Sequence, residues 1–326
     1  MKSFEYTTAT SLPEALGQLR EASIVAKAGG VDLLDRMKEG LVSPSRLVDI
    51  RGLAELAFVR EDADGLHVGP LVTLAQLDAN PIVRARYSVL ADAAAHAATP
   101  QIRNMATLGG NLAQRPRCWY FRSLDFHCRK KGGDVCFATD GEHQYHAIIG
   151  NQLCAAVHPS TPATALMALS ARVKLARPGA ERVVSLDDFF VAPEKDLAHE
   201  NLLAGDELIT EIHVPAPSPS LRTAYHKQGE KESFDWPIAD VAVALELDGK
   251  KCRRASIVLG AAAPVPWRAR KAEALLDGKM VDEASANAAA EAALAGATPL
   301  ARNGYKLQVF KTVIRRTILA AVGGAR

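Results

Sequence analysis

The glycine pair Gly29-Gly30 constrains this chain more than any other feature. It closes a short apolar strand over residues 24–28 and opens a helix over 31–38. Glycines at such a junction expose backbone N–H groups and accept positive φ, and the helix N-terminus adds its positive dipole. That combination suits a diphosphate, although one pair by itself can equally be a tight turn. The neighbourhood alternates in the same way. A strand over 4–8 precedes a helix running to about residue 21, opened by a capping box of Ser11 and Glu14, and 47–50 forms another strand. A strand at 66–68, a helix near 74–77 and an alanine-rich helix over 85–98, stopped by Pro100, continue the βαβ pattern of an α/β domain. A second pair follows in Thr107-Leu108-Gly109-Gly110-Asn111, where a hydroxyl, two bare amides and a carboxamide suit a polar ligand pressed on the main chain. Two such elements in one α/β domain favour a dinucleotide. Neither is G-x-G-x-x-G, so a nicotinamide Rossmann site has no support.

The next stretch, 112–155, is a long excursion without clean periodicity, a feature that usually carries function. Four of the chain's five cysteines (Cys118, Cys128, Cys136, Cys154) fall within 37 residues, separated by nine, seven and seventeen residues, and Cys252 stands alone as a structural thiol. No CxxC is present, which weighs against a zinc ribbon and a bacterial ferredoxin pattern. Four thiolates are nevertheless what a cubane iron–sulfur cluster needs, and Trp119, Tyr120, Phe121, Phe126 and Phe137 can supply a dry shell. Between 115 and 136, six cations (Arg115, Arg117, Arg122, Arg129, Lys130, Lys131) face two anions (Asp125, Asp134), a surplus that would offset a thiolate-bound cluster. On chemistry alone, iron–sulfur, zinc, and unliganded or disulfide-bonded cysteines stay open. A net charge of +2 gives no reason to expect nucleic acid or an anionic membrane as partner. No segment reaches the roughly 20 apolar residues of a membrane span.

A helix at 162–170 and a strand at 172–176 follow, and three prolines between Val214 and Pro219 mark a linker. Beyond it, strands at 239–247 and 256–260, a hairpin signal at Asp248-Gly249, and helices at 269–276, 282–294 and 305–320 make a smaller α+β domain.

These residues resemble the FAD-binding medium subunit of the xanthine dehydrogenase, or molybdenum hydroxylase, family. The stretch from Ala28 through Gly29, Gly30, Val31 and Asp32 to Leu34 is similar to its first FAD motif. Ile102-Arg103-Asn104-Met105-Ala106-Thr107-Leu108-Gly109-Gly110-Asn111 is similar to its second. Tyr225-His226-Lys227, the run from Gly260 to Pro264, and Pro266-Trp267-Arg268 resemble landmarks of its C-terminal domain. The inserted cysteine segment is similar to one found in two subgroups, the aldehyde oxidoreductases and the 4-hydroxybenzoyl-CoA reductases, where it holds a [4Fe–4S] cluster. Arg117-Cys118-Trp119-Tyr120-Phe121 looks more like the first type, and the stretch from Cys128 to Cys136 also echoes the second. One departure stands out: Ser160-Thr161, after His158, occupies the place of a Ser-Asp pair, so a charged flavin contact is lost.

The resemblance implies a mixed α/β and α+β architecture. A two-lobed FAD domain of the vanillyl-alcohol-oxidase-like (PCMH) type would span 1–217, with the cluster loop at about 112–157. A small C-terminal domain like that of CO dehydrogenase flavoproteins would span 222–326. FAD would lie against Val25, Ala26, Lys27, Ala28, Gly29, Gly30, Val31, Asp32, Leu33, Thr107, Gly109, Gly110, Asn111, His158, Thr161, Ile209 and Lys227. The [4Fe–4S] cluster would sit on Cys118, Cys128, Cys136 and Cys154. No proton-transfer residue is required. Partners would be a large subunit with the molybdenum cofactor, a small subunit with two [2Fe–2S] clusters, and ferredoxin or another one-electron acceptor docking near Arg122, Arg129, Lys130 and Lys131. The complex would oxidise an aldehyde. A 4-hydroxybenzoyl-CoA reductase, an N-heterocycle dehydrogenase and a stand-alone flavoprotein reductase are the alternatives. With no signal peptide in view, the chain would be cytoplasmic, or periplasmic if exported with a signal-bearing partner.

Overall fold

The computed structural model describes residues 1–232 and 234–323, so the last three residues of the expected C-terminal domain lie outside it. Strands β1 (Glu5–Thr8), β2 (Ile24–Lys27) and β3 (Arg46–Asp49) form a parallel sheet in the order β1-β3-β2. Helices Leu12–Gln18 and Val31–Lys38 make the crossovers, as parallel pairing demands. Ser11 caps the first of these, its hydroxyl accepting from the Glu14 amide at 3.3 Å. The expected box is only half formed: the Glu14 carboxylate takes the amide and hydroxyl of Thr10 instead, at 2.8 and 2.6 Å.

The second lobe is an antiparallel sheet of β4 (Val59–Glu61), β5 (Gly65–Val68), β6 (Arg172–Arg177), β7 (Ala180–Ser185) and β8 (Leu208–Pro215), in the order β4-β5-β8-β6-β7. Periodicity does not flag β8, because a threonine interrupts its apolar row and a proline closes it. A register shift against β6 leaves Thr210 between Leu208 and Ile209, on one side, and Glu211. Ile209 thereby enters the same second-lobe core as Ile212 and Val214, although strict alternation would put it on the opposite face from them, while Leu208 joins the core of the first lobe. The alanine-rich segment is not one helix. It breaks at Tyr87, whose ring is fully buried, into Pro81–Arg86 and Ser88–Ala95. Pro100 does not stop a helix; it begins a short one, Pro100–Arg103, capped by the Thr99 hydroxyl.

The third sheet contains β9 (Leu221–Gln228), β10 (Ala239–Asp248), β11 (Lys251–Gly260) and β12 (Trp267–Arg268), antiparallel in the order β12-β11-β10-β9. The Asp248-Gly249 hairpin is present, with Gly249 at φ +58°. This sheet is covered on both faces. Val241, Val243, Leu245, Ile257 and Leu259 pack into a core shared with helices Arg270–Leu276, Glu283–Ala293 and Tyr305–Gly323. Ala242 and Val258 point the other way, into the second lobe's core with helices Ser88–Ala95 and Thr161–Ala168. Each such fully buried aliphatic side chain contributes roughly 1.5–3 kcal/mol, so the C-terminal sheet is fastened to the second lobe. Among the described residues no helix is long and apolar enough to cross a membrane.

Candidate functional site

A cleft of about 620 Å³ opens where β2, the short helix Leu108–Leu112 capped by Thr107, Ile209 on β8 and Lys227 on β9 converge. Every flavin residue expected from the sequence lines it except His158. The two glycine motifs touch through their backbones: a Cβ on Gly29 would stand 1.9 Å from the Met105 carbonyl oxygen. Gly30 sits at φ +78° and begins helix Val31–Lys38 with no side chain capping the first amides. Gly110 differs. A Cβ there would meet only the Thr107 hydroxyl, at 3.0 Å, so internal packing alone gives weak reason for glycine. Bare glycines, uncapped helix amides and an open cleft fit the diphosphate of a dinucleotide.

Lys27, Thr161 and Lys227 in the cleft wall, and the polar groups behind them, are committed to the protein. Burial opposes ionisation of Asp49, but hydrogen bonds from Arg51 and Tyr6 outweigh it and hold its carboxyl well below the usual range. Asp49 in turn pairs with buried Lys27 at 3.6 Å. Burial lowers the ammonium pKa of Lys227, which donates to the His96 carbonyl at 2.9 Å. The Thr161 hydroxyl donates to the Ala93 carbonyl at 3.0 Å, so Thr161 offers the cleft no charge. Ser160 carries the link to the second glycine motif, its hydroxyl donating to Asn111 Oδ1 at 2.5 Å. His158 lies behind this wall. Its Nδ1 accepts from the Ser160 amide at 3.3 Å, its ring packs edge-on against Phe190 at 4.6 Å, and burial pulls its pKa down to about 3. It is a neutral core histidine rather than a cleft contact.

Sequence reasoning missed two parts of the cleft wall, the segment around Glu200–Gly205 and the loop bearing Phe234 and Trp236. Both aromatics are about half exposed, at 54% and 52%. Two aromatics within four residues of an otherwise polar loop were the available signal.

Cys118, Cys128, Cys136 and Cys154 all line a second, small cavity, together with Tyr120, Phe121 and Phe137. Phe126 packs behind, 5.0 Å from the Tyr120 ring and 5.1 Å from that of Phe137. Trp119 faces outward, edge-on to His146 at 5.1 Å, and is not part of the cavity wall. All five cysteines are free thiols, so the disulfide alternative falls. Burial pushes Cys118 up to about 12 and Cys154 up to about 11, so a metal must displace protons to bind. Among the described residues, no three His, Cys, Asp or Glu side chains converge as one metal ion requires. Tetrahedral zinc would draw thiolate sulfurs to about 3.8 Å of one another; a cubane spreads its four ligands around a larger core. Arg117 lines the large cleft and Cys118 the thiol cavity, so one peptide bond separates the two walls.

Two of the four expected docking residues, Arg122 and Lys130, are internal. Arg117 and Arg122 pair with Asp32 at 3.1 and 2.5 Å, Arg117 reaches Asp35 at 3.4 Å, and Arg122 reaches Glu39 at 3.0 Å. These acids lie at i, i+3 and i+7, one face of helix Val31–Lys38 and its end. Glu200 bridges Arg115 and Lys130, both at 2.7 Å, and the Lys130 side chain is only 3% exposed. Lys131 donates to the carbonyls of Tyr120 and Ser123. Arg115, Arg117, Arg122 and Lys130 therefore fasten the cysteine segment to the glycine-motif helix and to the 196–205 segment, while Arg129 and Lys131 bond carbonyls within the segment itself.

A two-lobed cleft with paired glycine motifs followed by a helix-backed antiparallel sheet defines a flavoprotein class. Residues 2–217 match the family described as the FAD binding domain in molybdopterin dehydrogenase, and residues 224–321 match the CO dehydrogenase flavoprotein C-terminal domain. The chain belongs to this family: it is the FAD-binding subunit of a molybdenum-containing hydroxylase complex, an oxidoreductase. It is 35% identical to the aldehyde oxidoreductase FAD-binding subunit PaoB of Escherichia coli K12, over all of this chain and 99% of that one. The carbon monoxide dehydrogenase medium chain of Hydrogenophaga pseudoflava is 30% identical, covering 98% and 96%. The Hydrogenophaga carbon monoxide dehydrogenase structure superimposes with a TM-score of 0.79 at 29% identity, over 100% of this chain and 99% of that one. Quinoline 2-oxidoreductase from Pseudomonas putida 86 gives 0.78 at 28%, with the same coverage.

Proposed function

We propose that this chain binds one FAD in the large cleft and one [4Fe–4S] cluster on Cys118, Cys128, Cys136 and Cys154. It would serve an aldehyde-oxidising complex with a large molybdenum-cofactor subunit and a small subunit carrying two [2Fe–2S] clusters. The observation that carries the reading is the convergence of four unbridged cysteines, Cys128 and Cys154 buried and Cys118 and Cys136 partly so, on one cavity that shares a wall with the flavin cleft. Bound FAD would accept and release electron pairs, and a bound cluster would move electrons singly. The chain's own residues hold and orient. The uncapped amides after Gly30 would receive the diphosphate, while those of Gly109, Gly110 and Asn111 bond Pro70 and Thr107, and bare Gly110 leaves room for the ligand; Ile209 and Leu33 supply apolar wall. Tyr120, Phe121 and Phe137 keep water from the thiolates. Resemblance to the aldehyde oxidoreductase subunit over the full chain supports the substrate class. A ferredoxin-like acceptor remains part of the proposal, but it would recognise something other than Arg122 and Lys130, which are internal. The test is anaerobic addition of an aromatic aldehyde, a purine or an N-heterocycle to the native complex, read by flavin bleaching. Bleaching with the aldehyde alone is expected; bleaching with only a heterocycle overturns the assignment.

A further inference from the structure

One buried side chain addresses the thiol cavity from outside the cysteine set. His146 is 4% exposed, and its Nε2 lies 3.2 Å from Cys118 Sγ. Among the described residues no other side chain donates to a cysteine sulfur. Its Nδ1 is buried and meets no hydrogen-bond partner. That asymmetry fixes the tautomer once Cys118 is a metal-bound thiolate. A thiolate has no proton to give, so contact at 3.2 Å requires the proton on Nε2 and leaves Nδ1 bare.

The C-terminal domain sets the ring's position. The His146 carbonyl accepts from Lys306 Nζ at 3.0 Å and from Asn303 Nδ2 at 3.1 Å. Lys306 is wholly buried and spends its other donors on the carbonyls of Tyr145 and Ala261, at 3.2 and 2.7 Å. The Trp119 ring closes one side. An imidazole held this firmly, with a single polar contact, is placed to do something to that sulfur.

We infer that His146 donates its Nε2–H to the Cys118 thiolate and raises the reduction potential of the cluster. The inference rests on the cluster reading above. When the cluster takes up one electron, negative charge on its thiolates grows, and an N–H aimed at a sulfur favours that more negative state. No proton moves and no bond is made or broken. His146 is a positioning and tuning residue, and the C-terminal helix is its support.

The experiment is a redox titration of the native complex followed by the EPR signal of the reduced cluster, with iron and flavin measured per chain. His146→Leu should shift the midpoint to lower potential with iron content unchanged. His146→Gln, which keeps an N–H, should lie nearer the native value. An unshifted midpoint in fully loaded His146→Leu overturns the proposal, and so does loss of iron in both variants, which would make the residue part of the cluster's hold. Native complex grown with 15N-histidine gives an answer independent of any variant. Pulsed EPR should detect one histidine nitrogen coupled to the reduced cluster, and no such coupling overturns the proposal. Absence of iron from this chain in the native complex would instead sink the cluster reading itself.

Discussion

The flavin cleft and the thiol cavity share a wall but are built by opposite means. The cleft gathers residues from Leu19 to Pro237, drawn from all three sheets and joined where backbone meets backbone, as at Gly29 and Met105. The thiol cavity takes all four cysteines from one excursion and has almost no regular structure, only the turn Trp119–Arg122 and a 3-10 turn at Arg129–Lys131. Ion pairs hold it to the first lobe's helix and to Glu200, through Arg117, Arg122 and Lys130, and it is tied to the C-terminal domain by Ile148, Ile149 and the hydrogen bonds of Asn303 and Lys306 to the His146 carbonyl. A site made by the fold tolerates loss of its ligand. A site attached in this way around a small core of Tyr120, Ala138 and Ala155 depends on the ligand as well, because ligation adds cross-links that so small a core does not supply.

Breaking the thiol cavity should therefore leave the cleft standing. Cys136→Ser, or serine at any of the other three positions, should abolish the cluster signal while FAD stays near one per chain. Cys252→Ser, in the C-terminal core, should change neither. Simultaneous loss of flavin in all four variants would show that the regions are one unit.

Cutting the ionic fastening should injure both sides at once. Asp32 is shared by Arg36, Arg117 and Arg122, so Asp32→Asn takes the carboxylate from Arg36 and leaves Arg117 and Arg122 with Asp35 and Glu39 alone. Removing one partner of a buried pair costs about 3–5 kcal/mol. Thermal unfolding of the complex should move down, with iron and flavin lost together; an unchanged melting temperature would mean the ion pairs are ornamental.

A gentler change should touch the cleft alone. Gly110→Ala should weaken flavin binding by roughly tenfold, about 1.4 kcal/mol, with little effect on melting, because the new methyl meets only the Thr107 hydroxyl. Gly29→Ala should instead destabilise the first lobe, since its Cβ would collide with the Met105 carbonyl. Equal effects on melting would contradict this division. Flavin content and differential scanning fluorimetry separate the two outcomes.

A pH-dependent effect belongs to His158. Its pKa is depressed to about 3 when folded, against about 6.5 when unfolded, so its contribution is present above 6.5 and lost as pH falls toward 3. Replacement by leucine should flatten the fall of stability through that window by up to about 1.4 kcal/mol per pH unit. Parallel denaturation curves at pH 7 and 4.5 for the two proteins measure it.

The same contrast explains what could be read from the sequence. The helix at 31–38, both glycine motifs, the Asp248-Gly249 hairpin and the C-terminal helices follow from local pattern. The break at Tyr87 does not, because it exists to bury one ring in the second lobe. Nor does the bulge at Thr210, which depends on pairing with a strand some 35 residues earlier in the chain. The basic run was legible as charge, but its destination was not. Asp32, Asp35 and Glu39 look like an ordinary solvated helix face until the excursion folds onto them. His146 gave no sequence signal, since its meaning lies in a contact with Cys118 across 28 residues.

The central claim is that one chain holds flavin and cluster side by side, and metal and flavin analysis of the native complex tests it most directly. With the other subunits' iron subtracted after denaturing separation or selective reconstitution, this chain should account for one FAD and about four iron atoms. One FAD with stoichiometric zinc, or with no metal on the four cysteines, would contradict it.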